Sequence, residues 1–217
     1  MPLTPWRQVP IEDNQESLVR LTGLFSTPWH QQIGRAGALN EVWLRLGTAR
    51  KLFEAQTYLP KGVKLMVLDG WRSTEFHSKV VEADVLEIFE RPELEEMIDP
   101  RDTSPLHPAP SLTGGRVGVT LCDDEGTPLD MGSVVRRPCP QASTYFFHDK
   151  RSESSKLLHG RRMCLLVAMT RSGFSSDNGA WWRFQYGTQQ HHALVGGPAQ
   201  YGLVEQLPGG HQLHAYS

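Results

Sequence analysis

Two short apolar runs constrain the fold of this chain most. Residues 63–68 and 117–122 are aliphatic and β-branched, about as long as a buried strand and too short for a helix. Turn residues bound them: Pro60-Lys61-Gly62 precedes the first, and Asp123-Asp124-Glu125-Gly126 follows the second. Helical periodicities lie around them. Val42, Leu46, Ala49, Leu52 and Phe53 predict an amphipathic helix over residues 39–59. Ser73 is the expected N-cap of a helix over 74–89, with Val80, Ala83, Leu86 and Phe89 on one face. Leu157, Leu158, Met163, Leu166 and Val167 predict a third helix over 154–170, ending near Gly173. Residues 129–135 and 181–186 read as further strands. Residues 101–110, with Pro105, Pro108 and Pro110, read as loop, as does the Gly-rich chain from His191. The strands after Gly114 follow one another closely, so the expected class is α+β, with helices packed on a mixed or antiparallel sheet. The expected plan is an irregular N-terminal arm (1–38), one domain (39–190) and a tail packed on it (191–217).

Composition narrows the function. A chain of 217 residues can bury a real core, and its net charge of −2 argues against nucleic acid as a partner. The longest apolar stretch, residues 164–169, is far too short to span a bilayer, and the first residues lack the apolar core of a secretory signal. Cys122, Cys139 and Cys164 are odd in number and lack metal-ligand spacing. Free thiols in a reducing cytoplasm are the expectation.

Five short motifs carry the chemical signal. They are Asp69-Gly70-Trp71-Arg72, Ser111-Leu112-Thr113 running on to Thr120, Met131-Gly132-Ser133, Ser172-Gly173-Phe174, and Ala180-Trp181-Trp182-Arg183-Phe184. In this order they resemble the active-site segments of the zinc D-alanyl-D-alanine dipeptidases of the VanX type, the M15 peptidases. The resemblance spans residues 39–186 and implies a D,D-dipeptidase-like fold. It sets Arg72 where the family keeps an arginine that stabilises the tetrahedral intermediate. Thr113 and Thr120 fall where the family has its zinc-binding His and Asp. Ala180 falls on the general base, Arg183 on the third zinc ligand, and Arg136 on the Asp that holds the substrate ammonium.

These replacements have physical consequences. Threonine hydroxyls are poor zinc ligands, Arg183 adds a permanent positive charge, and without the Glu base nothing takes the proton of an attacking water. The resemblance therefore implies no metal, no cofactor and no hydrolysis by the family mechanism. Arg72, Arg116, Arg136 and Arg183 should line a pocket for an anionic small molecule: a di-acid, an N-blocked amino acid or a phosphorylated compound. The expected catalytic groups are Arg72 and Arg183 as charge stabilisers, with the hydroxyls of Ser111, Thr113 and Thr120. Asp69, Trp71, Ser133, Trp181 and Trp182 complete the expected ligand-binding set. A competing expectation is that Arg136 and Arg183 pair with local acids such as Asp69 or Asp124 and fill the pocket. His148 is a candidate base for a serine nucleophile, and Cys122, two residues beyond Thr120, a candidate thiol. The leading functional expectation is a non-hydrolytic enzyme, performing a cyclisation, elimination or isomerisation on an amino-acid- or peptide-derived molecule. Bacterial specialised metabolism is the setting by analogy. The alternatives are a non-catalytic binding pseudoenzyme, and a zinc D-Ala-D-Ala dipeptidase whose ligands have moved to His107, His148 and one of His191 and His192. The sequence does not fix an oligomeric state.

Overall fold

The computed structural model describes residues 5–177 and 179–208. Among these residues seven strands appear in chain order: β1 (Leu18–Arg20), β2 (Phe25–Ser26), β3 (Trp43–Arg45), β4 (Lys64–Asp69), β5 (Arg116–Cys122), β6 (Ser175–Ser176) and β7 (Arg183–Gln185). The α-helices are α1 (Trp29–Gln32), α2 (Leu46–Thr57), α3 (Thr74–Glu87), α4 (Glu153–Arg171) and α5 (Gln189–Val195). The two apolar runs become β4 and β5, the middle of a five-stranded mixed sheet ordered β2-β4-β5-β7-β6. β2 runs parallel to β4, and the other neighbours are antiparallel. β1 and β3 form a separate antiparallel pair. The fold is α+β, as the patterning implies.

Every residue of β5 is buried, but its two faces differ. Val117, Val119 and Leu121 pack with Leu65, Val67 and Phe184 of the sheet, Leu52 and Ala55 of α2, and Leu165 and Met169 of α4. Side chains alternate along a strand, so Arg116, Gly118 and Thr120 share the opposite face. Arg183 and Gln185 flank Phe184 in the same way on β7. The sheet thus has an apolar face and a second buried face where polar groups lie beside a small apolar cluster of Met66, Leu68 and Cys122. A register shift between Val67 and Asp69, where Asp69 pairs with Gly118, turns the end of β4. Bulges of this kind re-aim side chains, and here the residue re-aimed is Asp69.

Several expectations are corrected. The helix expected from residue 39 begins at Leu46, because Trp43–Arg45 pairs with β1 and the Arg45 N–H donates to the Gly114 carbonyl at 3.0 Å. On α3 the inward face is Phe76, His77, Val80, Val81 and Asp84, while Leu86 and Phe89 are 75% and 82% exposed. Of the expected face only Val80 is buried, because the inner face mixes apolar residues with His77 and Asp84 of a charged cluster. On α4 the buried face includes Arg162, Leu165, Ala168 and Met169, with Leu157 and Val167 exposed. Residues 129–135 form no strand. Past the Leu129-to-Leu121 backbone bond the chain turns away through Gly132 and Arg136, both at positive φ. The strand expected over 181–186 is confined to Arg183–Gln185. The residues from His191 begin not as loop but within α5, capped by Thr188, whose hydroxyl accepts from the His191 N–H at 3.1 Å. The N-terminal arm contributes β1, β2 and α1. Beyond α5, Ala199 and Tyr201 are buried and the Val204 N–H donates to Leu112 O at 3.0 Å. His211 and His214 lie outside the described residues. Among the described residues no helix is long and apolar enough to cross a membrane.

Candidate functional site: a buried arginine cage

The polar face of the sheet converges on one carboxylate. Asp99, on the irregular segment after the 3-10 helix Pro92–Met97, has a side chain only 1% exposed. Arg72 Nη1 lies 2.8 Å from its Oδ2, and Arg183 Nη1 lies 3.1 Å from its Oδ1. Arg116 Nη1 is 3.0 Å from Oδ1, close enough to pair but not aligned as a hydrogen bond. Arg136 Nη2 stands off at 3.8 Å from Oδ2. The four guanidiniums come from four parts of the fold: the β4–α3 junction, the start of β5, the turn after β5, and the start of β7. Arg136 adopts φ 62°, a left-handed conformation unusual for a side chain of this size, as it points inward. Each arginine also bridges to a second acid. Asp69 accepts from Arg72 Nη2 and, at 2.9 Å, from Arg136 Nη1. Asp177 lies 2.9 Å from Arg183 Nη2 and 3.4 Å from Arg116 Nη2. Asp84, from α3, is 3.8 Å from Arg136 Nη2 and 3.5 Å from Arg35 Nη2.

Charge balance decides the protonation states. Burial alone would raise the Asp99 carboxyl, but Arg116, Arg72, Arg136 and Arg183 outweigh it and hold Asp99 well below the usual carboxylate range. Asp69 follows the same logic: burial raises it, and Arg72 and Arg136 pull it lower. Asp84 is pushed up, because burial and the charge of Asp99 outweigh Arg136 and Arg35. Burial, with Arg183 and Arg72 nearby, brings Arg116 down to about 10 despite Asp99. Burial and Arg72 also lower Arg136.

Two histidines border the cage. His77 is fully buried, with Nδ1 2.9 Å from Ser111 Oγ and Nε2 2.8 Å from the Pro100 carbonyl. A carbonyl only accepts, so Nε2 carries the proton and the Ser111 hydroxyl donates to Nδ1. Burial, chiefly, brings His77 down to about 4, so it is neutral at pH 7. His30, 4% exposed, lies 3.8 Å from Asp69, and neither of its ring nitrogens has a hydrogen-bond partner. It lines a cavity of about 30 Å³ with Glu41, Trp71 and Phe76.

A model of the D-ala-D-ala dipeptidase family, peptidase M15, matches residues 38–195. The chain belongs to that family. A D-alanyl-D-alanine dipeptidase of Synechocystis is 27% identical over 242 residues, spanning 94% of this chain and 98% of the relative.

Of the residues singled out in the sequence, this member of the dipeptidase family gathers Arg72, Arg116, Arg136, Arg183 and Asp69. Trp182 joins them, lining a small void with Asp84, Asp99, Arg136, Pro138 and Arg183. Ser111 sits on the wall, its carbonyl accepting from the Arg72 N–H at 3.0 Å and its hydroxyl held by His77 rather than His148. The His148 side chain is 63% exposed. Thr113 is tied locally: its hydroxyl donates to Pro110 O at 2.8 Å and accepts from the Gly115 N–H at 3.1 Å. Thr120 is buried on β5, opposite Met66. Ser133 and Trp181 lie elsewhere. The Trp181 indole donates to Ser133 Oγ at 2.8 Å and Arg162 Nη2 approaches that oxygen at 3.3 Å, so the pair anchors α4. The Trp71 indole donates to Val204 O at 3.0 Å and holds the C-terminal segment. Asp124 pairs with Lys64 at the surface, at 3.4 Å, away from the arginines. Cys122 is buried beside Met66 and Leu68, its thiol pushed up to about 11 mainly by burial, which leaves it a poor nucleophile. Among the described residues no group of three or more His, Cys, Asp or Glu side chains is gathered as a metal ion requires.

Sequence reasoning missed Asp99, Asp84, Asp177 and His77. The signal for Asp84 and His77 was their seven-residue spacing, which puts both on one helix face. Asp99 carried no local signal beyond being followed by a proline.

Proposed function

We propose that this member of the dipeptidase family works without zinc. Its pocket receives the carboxylate of an amino-acid- or peptide-derived small molecule and promotes a non-hydrolytic step on it: a cyclisation, elimination or isomerisation. The observation that carries this reading is Asp99, a planar two-oxygen anion seated among Arg72, Arg116 and Arg183. Guanidinium forks fit such a group, and in a buried site they hold it more tightly than in water. The donor set does not fit a zinc ion at the family position. Thr113 spends its hydroxyl on Pro110 and Gly115, Arg183 is a cation already paired with Asp99 and Asp177, and Ala180 offers no base. What the chain's own groups can do is fix a carboxylate, exclude water, and stabilise negative charge that develops beside it.

A second reading, binding without turnover, draws support from the hydroxyls. Those of Ser111 and Thr113 are engaged with His77 and Pro110 rather than free toward the cage. One experiment separates the readings: stoichiometric protein is mixed with N-acyl amino acids and dicarboxylates and followed by NMR for hours. Saturable binding that is lost in Arg116→Gln, with a new species growing in, is the expected result. Binding with no new species favours the second reading. Hydrolysis of D-Ala-D-Ala by zinc-loaded protein would refute both.

A further inference from the structure

The reading above leaves the cage filled by the protein's own carboxylate, and the inference drawn here rests on that reading. We propose that Asp99 is a built-in stand-in for the ligand. A small-molecule carboxylate takes its seat among Arg72, Arg116 and Arg183, and residues 98–104 withdraw as a latch.

Four observations carry this. First, the cage is built from regular elements and their junctions, whereas Asp99 comes from a stretch, residues 99–104, with no helix or strand. Second, among the described residues that stretch is tied to the rest of the fold, besides the cage, by Pro100 O to His77, the Ala109 N–H to Asp102 O and Arg7 to Asp102, while Ser104 bonds only within its own turn, to the Leu106 and His107 N–H groups. The Arg7 contact is a two-bonded fork at the surface, Arg7 Nε and Nη2 to the two oxygens of Asp102, with Arg7 half exposed, so it can open by exchanging its partner for water. Third, Asp99 does not satisfy the cage. The buried Arg116 Nη1 has no aligned hydrogen bond, and Arg136 stands 3.8 Å away. A ligand free to choose its angle can meet both donors better than a carboxylate tethered to the chain. Fourth, a cleft of about 520 Å³ adjoins Asp99 on the outer side, bordered by Arg7, Val85, Ile98, Arg101 and Asp102. It offers room for the withdrawn segment or for the remainder of a ligand.

The geometry also selects the chemistry. One oxygen of Asp99 faces Arg116 and Arg183, and the other faces Arg72 and Arg136. This is a two-edged receptor for a planar monoanion. Asp69 and Asp177 stay in place as counter-charges and disfavour a tetrahedral dianion such as phosphate.

The test uses the full chain as wild type, Asp99→Ala and Asp99→Asn, with acetate, N-acetylglycine and inorganic phosphate as probes. Affinity is read by calorimetry, and the state of residues 98–104 by hydrogen exchange. In the wild type, binding must wait for the latch, so Asp99→Ala is expected to bind acetate about ten- to a hundredfold more tightly. Saturating the wild type with N-acetylglycine should speed amide exchange across residues 98–104. If Asp99→Ala does not fold, Asp99→Asn preserves the volume, and its segment should exchange faster than wild type with no ligand present. No carboxylate binding in any form would overturn the pocket reading itself. Equal affinity in wild type and variant, with residues 98–104 unchanged, would overturn the latch and leave the pocket standing. A preference for phosphate would overturn the carboxylate assignment.

Discussion

Replacing Asp99 with Asn removes one buried charge and almost no volume, so its cost measures how far the cage depends on that charge. Arg72 and Arg183 lie 2.8 Å and 3.1 Å from the carboxylate, and Arg116 3.0 Å. At an effective dielectric of about 20 each close contact has a gross attraction of about 5–6 kcal/mol, offset by a desolvation cost of several kcal/mol for the carboxylate. The net cost of removing one partner from a buried ion pair is about 3–5 kcal/mol, because the other charges stay buried and unpaired. Asn still accepts a hydrogen bond, so about 3 kcal/mol is expected, a large share of a typical domain's stability of about 5–15 kcal/mol. Withdrawal of the intact latch is less costly, since it hydrates the arginines as well as the carboxylate. The assay is urea unfolding at pH 7, with Asp124→Asn as control. Asp124 is half exposed and, among the described residues, pairs with Lys64 at the surface, so its loss should cost less than about 1 kcal/mol. The pH dependence supplies a second check. The folded carboxyl of Asp99 is held below its unfolded value, so its contribution is complete above about pH 4 and is lost as pH falls toward the folded value. The gap between wild type and Asp99→Asn should therefore narrow in acid. A loss below about 1 kcal/mol at pH 7, or a gap that does not change with pH, would refute the reasoning.

Three further outcomes are expected. His77 is neutral when folded, at about 4, and gains a proton near 6.5 when unfolded, so its contribution is complete above pH 6.5 and lost as pH falls toward 4. His77→Gln should flatten that part of the curve, as read from urea midpoints at pH 7.5 and 5. Gly70→Ala should lose about 1–3 kcal/mol in the same assay, because its Cβ would sit 2.6 Å from the Trp43 carbonyl, a backbone atom that cannot step aside. Cys122, fully buried and with its thiol pushed up to about 11, should resist a disulfide reagent at pH 8 in the folded protein and react once urea unfolds it.

The fold was legible where pattern and burial agree. β4 and β5 are continuous apolar runs between turn residues, and they became the centre of the sheet. Ser73 capped α3 as its position implied, its hydroxyl accepting from the Phe76 N–H at 3.2 Å. Pattern failed where a helix faces charge. α3 buries His77 and Asp84 while exposing Leu86, so apolar periodicity alone could not find its inner face. In the site, the motif arginines were legible because they sit at fixed spacings in short segments. Their partners were not. Asp99 lies 27 residues from Arg72 and 84 from Arg183, and only the path of the chain brings it in. For Ser133 and Trp181 the structure shows a packing role that the motif alone did not suggest: the Trp181 indole and Arg162 of α4 both meet the Ser133 hydroxyl.

The measurement to make first is zinc content, by plasma mass spectrometry, on protein purified without chelator, exposed to excess zinc and then dialysed. Less than about 0.1 equivalent per chain is the expected result, since hydroxyl and guanidinium groups cannot replace imidazole and carboxylate as ligands. About one equivalent that survives dialysis would contradict the proposal that this family member works without zinc.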